Sequence, residues 1–353
     1  MNRNFIYSGS PAHIVFGEGK SALAGKWVEK IGCRKALVLS TPRQQADAEA
    51  LAERLGRLSA GVFAGAVMHT PVEVTEKAME IVARTSADCV VSFGGGSTTG
   101  LGKAIAYRTD LPQIVIPTTY AGSEVTPILG QTEAGRKTTV RHPSILPEVV
   151  IYDAALTLDL RVGMSVNSGL NAMAHAIEGL YAEDRNPIST LIAIEGLRAF
   201  KTSLPKIVEA PRDIAVRAEA LYGAWLCGTV LGTVGMALHH KICHTLGGTF
   251  DTPHAETHAI MLPHTAGYNA VAARELLAPI ADIFGGSVGG GLWDFAREIG
   301  APLALRELGL SEADLDRVAE IATENPYWNP RPVDRRSIRA LLQDAWEGRR
   351  PPR

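Results

Sequence analysis

Near residue 155 the chain changes its hydrophobic rhythm. Before that point, short runs rich in β-branched residues alternate with longer amphipathic stretches, as successive βα units around a largely parallel sheet do. Residues 36–40, 89–93 and 113–116 read as strands, with a last one at 149–152; residues 44–58 and 74–84 carry helical spacing, separated by the break Thr70-Pro71. Beyond 155, helical spacing covers residues 165–181, 188–200, 215–238, 239–247, 270–284, 292–298, 312–324 and 336–346. The 353 residues suit two domains at roughly 150 residues each. The expected fold class is an N-terminal α/β domain with a largely parallel sheet, residues 1–155, followed by an all-α C-terminal domain, residues 156–353. Residues 285–291 read as a helix-connecting loop and residues 349–353 as a frayed tail.

Composition removes several functions. With 35 basic and 37 acidic side chains the formal charge is -2, so no one-signed field is available to grip nucleic acid or an anionic membrane. Cys33, Cys89, Cys227 and Cys243 are scattered and form no C-x-x-C pair, which predicts buried reduced thiols. Residues 220–238 carry no charge and approach the roughly 20 residues needed to span a bilayer. Four glycines and the following His239-His240-Lys241 fit a buried helix of a helical domain better. With no apolar leader in the first residues, a cytoplasmic enzyme is the expectation.

The strand at 89–93 ends directly in Gly94-Gly95-Gly96-Ser97-Thr98-Thr99-Gly100-Leu101-Gly102-Lys103. Adjacent glycines at a strand-to-helix junction leave backbone N–H groups uncovered, and a helix N-terminus favours an anion, so the turn reads as a phosphate cradle. Ser97 and Thr98 can cap the helix or bond a phosphate oxygen. Lys103 is followed by Ala104, which argues against a P-loop. The next strand ends in Pro117-Thr118-Thr119-Tyr120-Ala121-Gly122-Ser123-Glu124-Val125-Thr126. Loops at the carboxyl ends of neighbouring strands converge on one crevice, so Thr118, Thr119 and Ser123 should face the same ligand. Each could equally serve turn chemistry; together the loops predict a dinucleotide-binding domain.

Six of ten histidines, His239, His240, His244, His254, His258 and His264, crowd one window. His240 and His244 are i and i+4 and share a helix face. His254 follows Thr252-Pro253, where the chain can fold back and bring a third imidazole near. Upstream, Asn171 and His175 form another i, i+4 pair, with Glu178 one turn further.

The GGGS turn, the Pro117-Thr118-Thr119 loop, the segment Asn171-Ala172-Met173-Ala174-His175-Ala176-Ile177-Glu178 and His240-x3-His244-x9-His254 resemble the iron-containing alcohol dehydrogenase family, which has a dehydroquinate synthase-like fold. The likeness runs in order from about residue 10 to 350. It implies a divalent-metal site at the positions of Asn171, His175, His240 and His254, with His244 beside the nicotinamide. The family's aspartate is Asn171 here, and a neutral amide removes the anion that helps retain a cation. That departure, with Asn167 to Met173 and Ala237 to His244, resembles the maleylacetate reductase branch. The branch implies NAD(P)H-dependent reduction of maleylacetate to 3-oxoadipate in aromatic compound degradation, by hydride addition to a conjugated C=C in the cleft between the domains, with no metal required and Asn171, His175, His240 and His254 left as vestigial positions. The alternative is an Fe- or Zn-dependent alcohol dehydrogenase acting on a small alcohol or carbonyl.

The resemblance and the residues together predict His244, His240 and His175 as catalytic, Asn171, Lys241 and His254 as facing a dicarboxylate substrate, and Gly94, Gly95, Gly96, Ser97, Thr98, Thr118, Thr119, Ser123 and Thr41 as facing the cofactor. Thr41 stands where an aspartate would repel a 2′-phosphate, so both NADH and NADPH are expected. Residues 5–7 and 12–16 look like two strands of a hairpin, and the resemblance implies a homodimer paired through them.

Overall fold

The computed structural model describes Tyr7, Gly9, residues 12–133 and residues 136–352. Its strands are β1 (His13–Phe16), β2 (Ala36–Leu39), β3 (Ser59–Phe63), β4 (Cys89–Gly94), β5 (Gln113–Pro117), β6 (Ile128–Glu133), β7 (Arg136–Arg141) and β8 (Val149–Tyr152). Its helices are α1 (Ala24–Lys30), α2 (Gln45–Leu55), α3 (Val72–Thr85), α4 (Gly96–Thr109), α5 (Val162–Tyr181), α6 (Pro187–Glu209), α7 (Ile214–Thr233), α8 (Leu238–Phe250), α9 (His254–Ala270), α10 (Arg274–Phe284), α11 (Val288–Glu298), α12 (Asp314–Thr323) and α13 (Arg335–Glu347).

One compact unit comprises Gly9–Leu160 with Arg212–Leu221. Six strands form a parallel sheet in the order β1-β8-β5-β4-β2-β3. Successive side chains leave opposite faces of a strand, and the core divides accordingly. Ala36, Val38, Val91 and Phe93 pack with Val28, Ala48 and Leu51 of α1 and α2, while Leu37, Leu39 and Val90 pack with Ala78, Val82, Leu101 and Ile105 of α3 and α4. Burial on both faces explains why β2, β4, β5 and β8 read as continuous apolar runs. Arg217, fully buried, holds the short segment to this unit by donating to the Tyr120 hydroxyl (3.1 Å) and the Leu160 carbonyl (2.9 Å).

The second unit comprises Arg161–Pro211 with Tyr222–Arg353 and is helical. All residues of α5 from Ser165 to Tyr181 are buried, and α6 and α9 pack against it. Gly179 lets α7 approach, since a Cβ there would stand 2.1 Å from Val230 Cγ1. By length and composition α7 could cross a membrane, yet Ala224, Cys227 and Val230 are fully buried in this unit, as a core helix requires. All four cysteines are free and buried.

Several expectations change. The helix expected over 215–238 stops at Thr233; the Asp184 carboxylate accepts the Gly235 N–H (2.9 Å) and Glu178 accepts the Ala237 N–H (2.8 Å), holding the intervening backbone out of helix. Helix α9 was not anticipated, because its polar start and internal Pro263 hide its spacing. Residues 288–291 belong to α11, capped by Ser287, whose hydroxyl accepts the Gly290 N–H. The expected frayed tail is pinned by the ion pair of Arg350 with Asp294 (2.7 Å). Of the expected N-terminal hairpin, Phe5 and Ile6 lie outside the described residues, and β1 pairs in parallel with β8.

Candidate functional site

Two groups of predicted residues fall in the two units. In the first, β4 and β5 are neighbours with Gly94 level with Pro117, and the Thr118 N–H donates to the Gly94 carbonyl (3.0 Å). The glycine turn and the Thr118–Thr119 loop are thereby joined. Gln44, one turn past Thr41 at the end of β2, donates to the Thr118 hydroxyl (3.1 Å). Gly94 has φ +152, and a Cβ there would meet Thr98 Oγ1 at 2.5 Å; a Cβ on Gly95 would meet Thr119 Cγ2 at 2.8 Å. Nothing lies within 4 Å of a Cβ on Gly96, so the first turn of α4 presents open backbone.

The cap of α4 is Gly95, with no side-chain hydrogen bond. Ser97 and Thr98 therefore do not cap the helix; they lie within its first turn, where the Thr98 N–H donates to the Gly95 carbonyl (3.1 Å) and no acidic residue competes for the N–H groups that precede it. Thr98 Oγ1 is buried without a partner. Ser123 is fixed by a residue the sequence offered only as evidence against a P-loop. The Lys103 ammonium, buried, donates to the Ser123 carbonyl, the Thr126 hydroxyl (2.8 Å) and the Ile128 carbonyl (2.9 Å). Burial lowers its pKa to about 7, and the nearby Glu124 carboxylate opposes the fall.

In the helical unit, α5 places Asn171, His175 and Glu178 along one face, and α8 and α9 bring imidazoles beside them. The His175 and His240 rings stack at 5.2 Å between centroids, His240 and His244 stand 5.8 Å apart, and His258 lies 5.1 Å from His240 and 4.4 Å from His254. Asn171, His175 and His240 are each about 5% exposed or less. Burial, then the neighbouring imidazoles of His240 and His254, hold His175 well below the usual histidine range. Burial followed by His254 and His239 does the same for His258.

Glu178 organises the cluster. Its carboxylate accepts the Ala237 N–H (2.8 Å) and His239 N–H (2.7 Å) at the start of α8, and bonds His240 Nδ1 at 2.6 Å. Burial pushes this carboxyl up, but His240 and these hydrogen bonds outweigh it and hold the group below the ordinary carboxylate range. An ionised carboxylate only accepts, so His240 carries its proton on Nδ1 and points a bare, buried Nε2 elsewhere. This carboxylate-to-imidazole bond joins residues 62 apart.

Sequence reasoning also missed Tyr327. Its hydroxyl lies 3.5 Å from His244 Nδ1, and Lys241 Nζ sits 5.7 Å from its ring centroid. Two predicted residues, His244 and Lys241, thus meet Tyr327 at the partly exposed end of the cluster.

A divalent ion at the positions the family likeness implies would need converging donors. Asn171 Oδ1, His175 Nδ1 and His240 Nε2 are buried without partners, but Asn171 supplies no anion. Among the described residues, the groups of three whose donor atoms lie within 4.8 Å of one another are His239–Cys243–His258 and Cys33–Asp88–Cys89. The set His175–His240–His254 is not among them.

Residues 11–154 match the model of the iron-containing alcohol dehydrogenases, and residues 165–346 match that of the Fe-containing alcohol dehydrogenase family C-terminal region. The maleylacetate reductase of Rhizobium sp. (strain MTP-10005) is 64% identical over 98% of this chain and 99% of its own length. That of Burkholderia cepacia is 49% identical over 98% and 99%. The crystal structure of maleylacetate reductase from Agrobacterium tumefaciens, 64% identical, covers 99% of this chain and 100% of that one with a TM-score of 0.97. The chain belongs to the iron-containing alcohol dehydrogenase family.

Proposed function

We propose that this chain is an NAD(P)H-dependent reductase that converts maleylacetate to 3-oxoadipate. The observation that carries this reading is the buried imidazole cluster with Asn171 beside it instead of a carboxylate, in a chain 64% identical to a maleylacetate reductase. Hydride adds to the carbon β to the ketone, the electron pair moves to the ketone oxygen, and the resulting enolate takes a proton at the α carbon. An enolate is a weaker base than the alkoxide formed by ketone reduction, so hydrogen-bond donors can stabilise it without a Lewis acid.

The residues divide the work. Gly94, Gly95, Gly96, Ser97 and Thr98 hold the cofactor phosphates by backbone N–H groups and hydroxyls, with Thr118, Thr119 and Ser123 beside them. His244, against Tyr327, donates to the developing enolate. Glu178 can balance a positive His240, whose Nε2 accepts when the ring is neutral and donates when it is charged, so His240 holds and moves a proton. His175, Asn171 and His254 shape the pocket, and Lys241 attracts a carboxylate. At Thr41 no carboxylate selects between cofactors, so NADH and NADPH should both serve; a kcat/KM ratio above about a thousandfold for either would reject that assignment. Free buried thiols suit the cytoplasm, and a homodimer is the expected assembly, which light scattering tests.

Loss of NADH absorbance with maleylacetate, accompanied by 3-oxoadipate, is the direct test. Binding of NADH with no turnover under any condition would instead favour a nucleotide-binding module.

A further inference from the structure

Beside the proposed catalytic imidazoles lies a second set that this chemistry does not use. His239 and Cys243 are i and i+4 on α8, and His258 faces them from α9. All three are buried: His239 and Cys243 are 1% exposed and His258 0%. His239 Nε2 lies 2.9 Å from His258 Nδ1 and 3.7 Å from Cys243 Sγ. We propose that His239 Nε2, Cys243 Sγ and His258 Nδ1 form a binding site for a thiophilic divalent ion of the zinc or cobalt type, distinct from the positions where the family likeness would place a metal.

The donor chemistry is one soft sulfur and two imidazoles, a set that selects such ions over magnesium or calcium. The supporting shell is already built. The Thr265 hydroxyl hydrogen points to the Met261 carbonyl (3.0 Å), so Thr265 Oγ1 accepts from His239 Nδ1–H at 2.9 Å. That bond fixes the His239 tautomer with Nε2 bare, as metal-ligating histidines require. His239 Nε2 in turn accepts from His258 Nδ1–H, which leaves His258 Nε2 buried and without a partner.

Binding balances simply. Cys243 loses its thiol proton to solvent and forms a sulfur–metal bond, while His258 moves its ring proton from Nδ1 to the bare Nε2 and coordinates through Nδ1. The thiolate neutralises one of the ion's two positive charges, and the Glu178 carboxylate stands behind His239, accepting its backbone N–H at 2.7 Å.

The test is a Co²⁺ titration of the purified, tag-free, chelator-stripped full chain. The expected result is one equivalent bound with a sulfur-to-cobalt charge-transfer band and one proton released. The band should vanish in Cys243→Ser and persist in His175→Ala and Cys89→Ser. Thr265→Val, which keeps all three donors and reads the same site should Cys243→Ser fail to fold, should weaken binding about 10- to 100-fold. Absence of the band, its survival in folded Cys243→Ser, its loss in His175→Ala or Cys89→Ser, or unchanged affinity in Thr265→Val would each overturn the proposal.

Discussion

At the turn after β4, positive potential comes from backbone: open N–H groups at the start of α4, with glycines where a Cβ at position 94 or 95 would collide with Thr98 or Thr119. On α5, α8 and α9, potential comes from side chains, with Glu178 as the buried charge among the imidazoles. A backbone site is intolerant of added atoms but indifferent to titration. A side-chain site is the reverse: it survives small changes in volume and fails when a donor or a proton is removed. The contrast assigns binding to the first region and chemistry to the second.

Separating the two functions gives the largest expected effect. His244→Ala should lower kcat about 10²- to 10³-fold, roughly 2.7 to 4 kcal/mol, because it removes a donor at the developing oxyanion, while the NADH dissociation constant stays near wild type. Steady-state kinetics paired with fluorescence titration read both; equal losses in rate and NADH affinity would dissolve the distinction. Gly95→Val should do the opposite, raising the NADH dissociation constant about 100-fold as the new side chain meets Thr119 and covers the N–H groups. Tight NADH binding by folded Gly95→Val would mean the cofactor does not approach this turn.

A smaller effect separates the regions by titration. His175, His239 and His258 all have pKa values lowered by burial, so the unfolded chain binds their protons first. Stability is therefore full above about pH 6.5 and falls as pH drops toward the folded values. His239, at about 3 when folded, alone accounts for about 2 kcal/mol lost between pH 7 and 5. Urea unfolding across that range should show the decline, and His239→Gln should flatten part of it. A stability flat from pH 7 to 5 would contradict the buried neutral cluster.

What could be read in advance follows sequence distance. The sheet was legible because β2, β4, β5 and β8 are buried on both faces and stay apolar throughout; β6 alternates with polar residues, as in Ile128–Glu133, and passed unread with its partner β7. His240 and His244 were legible because four residues define a helix face. The bond from Glu178 to His240 was not, since it closes across 62 residues, and the sequence shows only that Glu178 lies on the face of His175. Helix α9 escaped because Pro263 interrupts it, which also hid how His258 and Thr265 stack behind His254. Tyr327 sits in a connection between α12 and α13 without a motif, and only the fold brings it to His244.

The central claim is that imidazoles anchored by Glu178 suffice for hydride addition with a neutral residue at position 171. Stopped-flow hydride transfer from NADH to maleylacetate, on enzyme stripped by chelator, tests it most directly. The account predicts the same transfer rate before and after stripping, with no increase when Fe²⁺ or Zn²⁺ is restored. Transfer abolished by the chelator and recovered only with a divalent ion would contradict it and return the chain to metal-dependent alcohol dehydrogenase chemistry.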